Sequence, residues 1–85
     1  MPLARILLAD DEVNILRVLS AMLGREGYEV HTAPDGAAGL ELFSRKSFDA
    51  VITDLKMPGV DGMALLKEIL KRDPDVPVIM ITAHG

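Results

Sequence analysis

Short apolar runs recur along the whole chain. Residues 5–9 (RILLA), 49–54 (DAVITD) and 76–82 (VPVIMIT) are apolar stretches too short for helices, a pattern typical of buried parallel strands. Residues 29–33 (EVHTA) instead alternate polar and apolar positions, which favours a strand at the edge of a sheet. The pattern therefore predicts four strands, of which the second is an edge strand.

Amphipathic segments lie between these strands. Residues 13–26 carry apolar side chains at helical spacing, and Gly27 stands where a left-handed residue would end the helix. Asp35 can cap a second helix over residues 36–46, and Asp61 is more easily explained as the cap of a third helix than as a catalytic acid. The apolar set of the third helix consists of Met63, Leu66, Ile69 and Leu70. Strands and helices that alternate with short loops predict right-handed βα units wound into a parallel sheet.

The sequence positions of the methionines and of His31 predict which of these side chains are buried. Met22, Met63 and Met80 lie at core spacing, so we expect them to fill the core, whereas Met57 is expected to pack under its loop. His31 lies on the polar side of the edge strand, where we expect it to be solvated.

Composition narrows the class of protein. The chain of 85 residues is 49% hydrophobic and 26% charged, which is typical of a globular domain and not of a disordered tail. Because it has no Cys, disulfides and thiolate metal sites are excluded, and the cytoplasm is the expected compartment. The net charge is −4, the basic residues are scattered and no apolar run could span a bilayer, so we expect this segment to bind neither DNA nor a membrane.

Acidic side chains follow the predicted strands at one edge of the sheet. Asp10 and Asp11 follow the first strand, Asp54 ends the third, and the hydroxyl of Thr82 ends the fourth. The carboxyl ends of parallel strands form the ligand-binding edge of open α/β sheets, so these groups are expected to converge. Three carboxylates at one place repel one another unless a cation is present, and a set of oxygen ligands without His or Cys favours Mg²⁺.

Three motifs resemble those of the receiver domains of bacterial response regulators. They are LLADDE after the first strand, DLKMPGVDG after the third and ITA at the end of the fourth. The resemblance implies a flavodoxin-like α/β fold of three layers, with a parallel sheet of strand order 2-1-3-4. It also implies that Asp54 accepts a phosphoryl group from a sensor histidine kinase. Such a domain is expected to be no enzyme beyond its own phosphorylation and dephosphorylation.

The resemblance also implies roles for the residues around Asp54. Mg²⁺ would be bound by Asp54, directly by Asp11, mainly through water by Asp10, and by the backbone carbonyl of Lys56. Thr82 would turn its hydroxyl toward the phosphoryl group on activation, beside the small residue Ala83. The ending TAHG is similar to that of receivers attached to nitrogen-regulation-type transcriptional activators.

The receiver pattern continues through a further helix, a fifth strand and a last helix. Residues 1–85 are therefore predicted to be a single incomplete receiver domain, without the fifth-strand lysine that pairs with the phosphoryl group. Val78–Ile81 show no polar alternation, so the fourth strand is expected to need cover on both faces and a neighbour at its outer edge. If these residues are the whole molecule, we expect a dimer or higher oligomer joined through this strand or through the uncovered sheet face.

Two other functions remain open. A truncated receiver that no longer signals could act only as an assembly module. A phosphatase of the haloacid-dehalogenase type also uses a strand-end Asp and Mg²⁺, but it requires a second acid two residues after the nucleophile, and this chain has Lys56 there.

Overall fold

The apolar runs form one parallel sheet. The computed structural model describes residues 3–82. The strands are β1 (Arg5–Ala9), β2 (Glu29–Ala33), β3 (Ala50–Asp54) and β4 (Val78–Ile81), in the order β2-β1-β3-β4. The predicted strand order and the edge position of β2 are confirmed. β4 is shorter than predicted and begins after Pro77, which has no N–H to donate to the sheet.

Three helices connect the strands: α1 (Val13–Arg25), α2 (Gly36–Arg45) and α3 (Gly62–Arg72). The predicted caps are confirmed, since Asp35 Oδ1 accepts a hydrogen bond from the Ala38 amide at 2.8 Å and Asp61 Oδ1 accepts one from the Ala64 amide at 2.9 Å. Gly27 has a φ of 98°, as its predicted position after α1 requires. Within residues 3–82 no helix has the length and apolar character that crossing a membrane requires.

The main core lies between one face of the sheet and the helices α2 and α3. Alternate residues of β1 and β3, among them Leu7 and Val51, point into it and are fully buried. Its buried members are Leu7, Ala9, Ala33, Phe48, Val51, Met57, Leu65, Ile69 and Val76. This core holds the strands that carry the acidic residues.

The opposite face, which carries α1, has less cover in the described part of the chain. α1 packs on β1 and β2, and none of its residues is fully buried. Ile15, Leu19 and Ile81 line a groove between α1 and β4, and Ile79 of β4 is 52% exposed. Cover on both faces of β4 is therefore not present among residues 3–82.

The buried stripe of α3 differs from the predicted one. Gly62, Leu65 and Ile69 are buried, whereas Met63 is 45% and Leu70 37% exposed. Leu65 and Ile69 share this buried side with Gly62, the first residue of the helix, which lies directly against the backbone of Asp54. The predicted apolar set was therefore wrong for two of its four residues.

The prediction that methionines at core spacing fill the core was also wrong in part. Met22 is 55% exposed, and Met80 is only half-buried. Met57 is 7% exposed and joins the core, so its predicted packing under the loop is confirmed. Its side chain connects the loop after β3 to the hydrophobic interior.

The sequence predicted that His31 is solvated, but its side chain makes specific contacts. Its ring lies edge-on to Phe48, with centroids 5.7 Å apart, and its Nε2 lies 2.7 Å from Glu29 Oε2. Arg5 Nε donates to the same carboxylate oxygen. Hydrogen bonds from His31 and Arg5 hold the pKa of the Glu29 carboxyl below its usual range. The edge of β2 is thus tied to β1 through one shared carboxylate.

We expect Glu29→Gln to lower the Tm at neutral pH. A carboxyl whose folded pKa is depressed contributes stability above its unfolded pKa and loses it as the pH falls through the folded pKa. The Tm difference between the native chain and the variant should therefore shrink as the pH falls below the Glu29 pKa. Thermal unfolding followed by circular dichroism from acidic to neutral pH measures this, with the exposed Glu26→Gln as control. Equal Tm values at neutral pH would contradict the role of Glu29.

Leu65→Ala should destabilise the fold strongly. The side chain of Leu65 is fully buried, so its truncation removes apolar contact and leaves a cavity at a cost of about 2–5 kcal/mol. Met63→Ala, on the exposed side of the same helix, should change the free energy of unfolding by about 0.5 kcal/mol or less. Urea denaturation of both variants provides the comparison. Similar losses in the two variants would show that the buried face of α3 is misassigned.

Candidate functional site

β1 and β3 bring three carboxylates to one edge of the sheet. Asp54 is the last residue of β3, Asp10 follows β1, and the two strands are paired in parallel up to Ala9 and Thr53. One carboxylate oxygen from each of Asp10, Asp11 and Asp54 lies within 4.8 Å of the others. Asp10 and Asp54 are 1% and 2% exposed. The structure therefore places the predicted acidic residues together.

Asp10 is buried with only part of its hydrogen-bonding capacity used. Its Oδ1 accepts a hydrogen bond from the Glu12 amide at 2.9 Å, whereas Oδ2 is buried and accepts none from the described residues. Burial raises the pKa of this carboxyl, and the nearby charges of Asp54 and Asp11 raise it further, against the lowering effect of the Glu12 amide. Among the described residues, no positive charge therefore compensates the ionised form of Asp10.

Asp54 is held by its backbone more than by its side chain. It pairs with Ile81 of β4, and the Leu55 amide donates to the Ile81 carbonyl at 2.9 Å. The Thr53 hydroxyl donates to the Asp54 carbonyl at 3.0 Å. Among residues 3–82, the side chain accepts a single long hydrogen bond, from the Lys56 amide to Oδ1 at 3.4 Å. Its position is therefore well defined, while its carboxylate oxygens keep capacity for another ligand.

The loop after β3 forms one wall of the site. The backbone of Lys56 lies beside Asp54, and the Lys56 side chain is exposed. Met57 anchors the loop in the core. A cleft lined by Asp11, Glu12 and the loop residues opens to solvent beside the acids. The predicted residues of this loop thus lie next to the acidic cluster.

Thr82 lies at the same edge of the sheet as the acids. It follows Ile81, the residue paired with Asp54, and its side chain is exposed beside α1. In the part of the chain that the structure describes, Thr82 makes no hydrogen bond to the three acids. Ala83, the small residue predicted to lie beside it, is outside the described residues.

Sequence reasoning missed two groups that shape the site. The Glu12 amide holds Asp10, and the Lys56 amide approaches Asp54. Both are backbone donors two residues after an Asp, a local arrangement that this residue type favours. The spacing Asp-x-x after a strand is therefore the signal that could have indicated them.

The acidic cluster fits a hard divalent cation. It offers carboxylate oxygens from three residues, and the buried Oδ2 of Asp10 accepts no hydrogen bond from residues 3–82. Carboxylates combined with water are the ligands that Mg²⁺ prefers. Burial is the main cause of the raised pKa of Asp10, and a cation would offset both that burial and the repulsion from the neighbouring carboxylates.

Comparison with known proteins agrees with this arrangement. Residues 6–85 match the family model of the response regulator receiver domain. Over 82 residues the chain is 49% identical to the transcriptional regulatory protein GlrR of Escherichia coli K12, an alignment that covers 96% of the chain and 18% of GlrR. The chain therefore spans less than a fifth of that relative.

Solved structures share both fold and sequence with the chain. A response regulator receiver domain protein from Clostridium thermocellum is 46% identical to this chain and superposes with a TM-score of 0.91. The alignment covers 98% of this chain and 68% of the other. The response regulator TrrA from Thermotoga maritima, in complex with Mg²⁺ and BeF, is 41% identical, with a TM-score of 0.91 over 100% of this chain and 72% of TrrA. TrrA was also solved in complex with the histidine kinase ThkA.

Asp10→Asn is expected to stabilise the fold when no divalent cation is present. The change removes a buried charge that faces two other carboxylates, and the amide oxygen can still accept from Glu12. We expect a gain of about 1 kcal/mol, or a Tm higher by about 4–8 °C for a domain of this size. Calorimetry in the presence of a chelator measures the gain, and the exposed Asp75→Asn serves as control. A lower Tm for Asp10→Asn than for the native chain would contradict the repulsion.

Proposed function

This chain belongs to the response regulator receiver domain family of two-component signalling, and we propose that Asp54 is its phosphoryl acceptor. The observation that carries the proposal is the placement of Asp54. It is a buried carboxylate at the end of β3, beside Asp10 and Asp11, and within the described part of the chain its side chain accepts only one long hydrogen bond. A carboxylate in this state can act as a nucleophile once nearby positive charge is supplied.

The proposed reaction transfers a phosphoryl group from a histidine to Asp54. A carboxylate oxygen of Asp54 forms a bond to phosphorus while the bond from phosphorus to the imidazole nitrogen of the donor breaks, and that nitrogen keeps the electron pair. The transition state is loose and in line, so the protein contributes mainly by positioning groups and by stabilising charge. The rigid backbone of Asp54, tied to Ile81 and Thr53, suits that positioning.

We propose that Asp10, Asp11, Asp54 and the carbonyl of Lys56 hold Mg²⁺. When bound, Mg²⁺ supplies positive charge that offsets the repulsion of the carboxylates and stabilises the phosphoryl oxygens. Support comes from the three converging carboxylates, the unpartnered Oδ2 of Asp10 and the Mg²⁺ and BeF complex of TrrA.

We propose that the hydroxyl of Thr82 donates to a phosphoryl oxygen on Asp54. Its place in the sheet supports this role, because Thr82 comes directly after the residue that pairs with Asp54. An exposed side chain at that position can turn toward the site without leaving a buried hole.

The proposed partner of the chain is a sensor histidine kinase. The complex of TrrA with the histidine kinase ThkA supports it, at 41% identity between TrrA and this chain. GlrR is by its name a transcriptional regulatory protein, which agrees with the predicted link to transcriptional activators. We further propose that residues 1–85 form one unit of receiver type, with no DNA contact of its own.

Two alternatives have different support. A phosphatase of the haloacid-dehalogenase type lacks its second acid, because the position two residues after Asp54 is the exposed Lys56. An assembly module joined through β4 is expected only if residues 1–85 are the whole molecule, and it stays a prediction.

Phosphorylation of Asp54 can be tested with acetyl phosphate and Mg²⁺. Intact mass spectrometry should show the addition of one phosphoryl group to the native chain and none to Asp54→Asn. Asp11→Ala should lose both Mg²⁺ binding and modification, since it removes a ligand. Asp61→Asn, which keeps the helix cap, should be modified like the native chain. A phosphoryl group found on Asp10 or Asp11 would refute the assignment of Asp54.

A further inference from the structure

The first residues of α2 and α3 lie against the loop after β3 with no room for a side chain. Residues 55–61 are called here the acceptor loop. A Cβ added to Gly36, at the start of α2, would lie 2.1 Å from the carbonyl oxygen of Val60 and 2.7 Å from its Cβ. A Cβ added to Gly62, at the start of α3, would lie 2.2 Å from the carbonyl oxygen of Asp54. Two helices thus touch the loop from two sides.

The atoms around these two glycines cannot easily move aside to make room for an added methyl group. The nearest atom to each glycine is a backbone carbonyl oxygen, and a packed backbone cannot swing aside as the end of a long side chain can. At Gly36 the need is for space and not for an unusual backbone angle, since the positive φ values among the described residues belong to Gly27 and Gly59. A larger residue at Gly36 must therefore displace the acceptor loop, α2, or both.

The acceptor loop has few other ways to absorb such a displacement. One end is bonded to α3, because the Gly62 amide donates to the Leu55 carbonyl at 3.0 Å. Its middle is anchored by Met57 in the core. The segment between these anchors contains Lys56, whose amide reaches Asp54 Oδ1 only at 3.4 Å. A displacement of Val60 can reach Lys56 through Gly62, because Gly62 lies two residues after Val60 and is bonded to Leu55, the neighbour of Lys56. A small shift there is enough to break the 3.4 Å contact with Asp54.

We propose that Gly36 is a positioning residue for the acidic site, acting through Val60 and the acceptor loop. Its missing side chain lets the start of α2 press on Val60, which keeps the backbone of Lys56 beside Asp54. Gly36 touches neither the acids nor a ligand. The inference rests on the proposed function, since it assigns the Lys56 backbone to the site at which Asp54 is phosphorylated.

Gly36→Ala tests the inference against two matched glycines. A Cβ at Gly39, in the same helix, would meet Leu65 at an ordinary 3.5 Å, and a Cβ at Gly24 would meet nothing within 4 Å. Isothermal titration should show Mg²⁺ affinity reduced about tenfold or more in Gly36→Ala, the scale of losing support behind a metal ligand. Gly39→Ala and Gly24→Ala should bind Mg²⁺ like the native chain. The Lys56 amide resonance should shift in metal-free Gly36→Ala and stay in place in the two controls.

A reduced Mg²⁺ affinity in Gly36→Ala could also result from a general loss of stability, so a control must distinguish this cause from a displaced loop. Leu65→Ala is expected to destabilise the same core without adding an atom near Val60. The Mg²⁺ affinity of both variants is therefore measured at a temperature at which Leu65→Ala and Gly36→Ala are folded to the same extent. A similar loss of affinity in Leu65→Ala would overturn the positioning role. Native affinity and a native Lys56 resonance in Gly36→Ala would do the same.

A second variant covers the case in which Gly36→Ala does not fold. Val60→Ala removes Cγ1, one of the side-chain atoms that meet Gly36, and leaves the loop less firmly packed, so Mg²⁺ affinity should fall. Leu40→Ala, which lines the same groove from α2, is its control. Native Mg²⁺ affinity in Val60→Ala would overturn the inference. If the native chain itself neither binds Mg²⁺ nor is modified at Asp54, the proposed function fails, and this inference fails with it.

Discussion

The repulsion between carboxylates at the ends of β1 and β3 is the constraint on which the site depends. Parallel pairing of these two strands places Asp10 and Asp54 side by side, both nearly inaccessible to water. Such a cluster costs free energy in a folded chain, so hydrophobic burial elsewhere must hold it in place. The fully buried Leu7 and Val51, on the same two strands, supply part of that stabilisation. The repulsion between the carboxylates thus both raises the free-energy cost of folding and creates the affinity for a cation.

Much of the fold could be predicted because strand and helix signals are local. Apolar runs, alternation in β2 and the caps Asp35 and Asp61 all depend on residues close in sequence. The strand order came from the resemblance to receiver domains, since periodicity alone does not order strands. The acids could be located because parallel strands that end in Asp share one edge of the sheet.

The errors concern features that depend on distant contacts. In α3, Met63, Leu65 and Leu66 are all apolar, and periodicity cannot decide which of them faces the core. In the structure, Leu65 faces the core on the same side as Gly62, whose position against the backbone of Asp54 cannot be predicted from periodicity. His31 was expected to be solvated because Phe48, on which its ring packs, belongs to another part of the chain, although its other partner, Glu29, is only two residues away. The contact between Gly36 and Val60 could not be predicted, because the residues next to each of them in the sequence give no indication of it.

The distribution of methionines has a consequence for oxidative damage. Met22 and Met63 are 55% and 45% exposed, whereas Met57 is only 7% exposed. Oxidants that convert methionine to its sulfoxide should reach the first two side chains earlier, and polar sulfoxides there would stay in solvent. A sulfoxide at Met57 would instead place a polar oxygen in the core beneath the acceptor loop. Oxidation of the two exposed methionines should therefore leave the site intact, whereas oxidation of Met57 would disturb it.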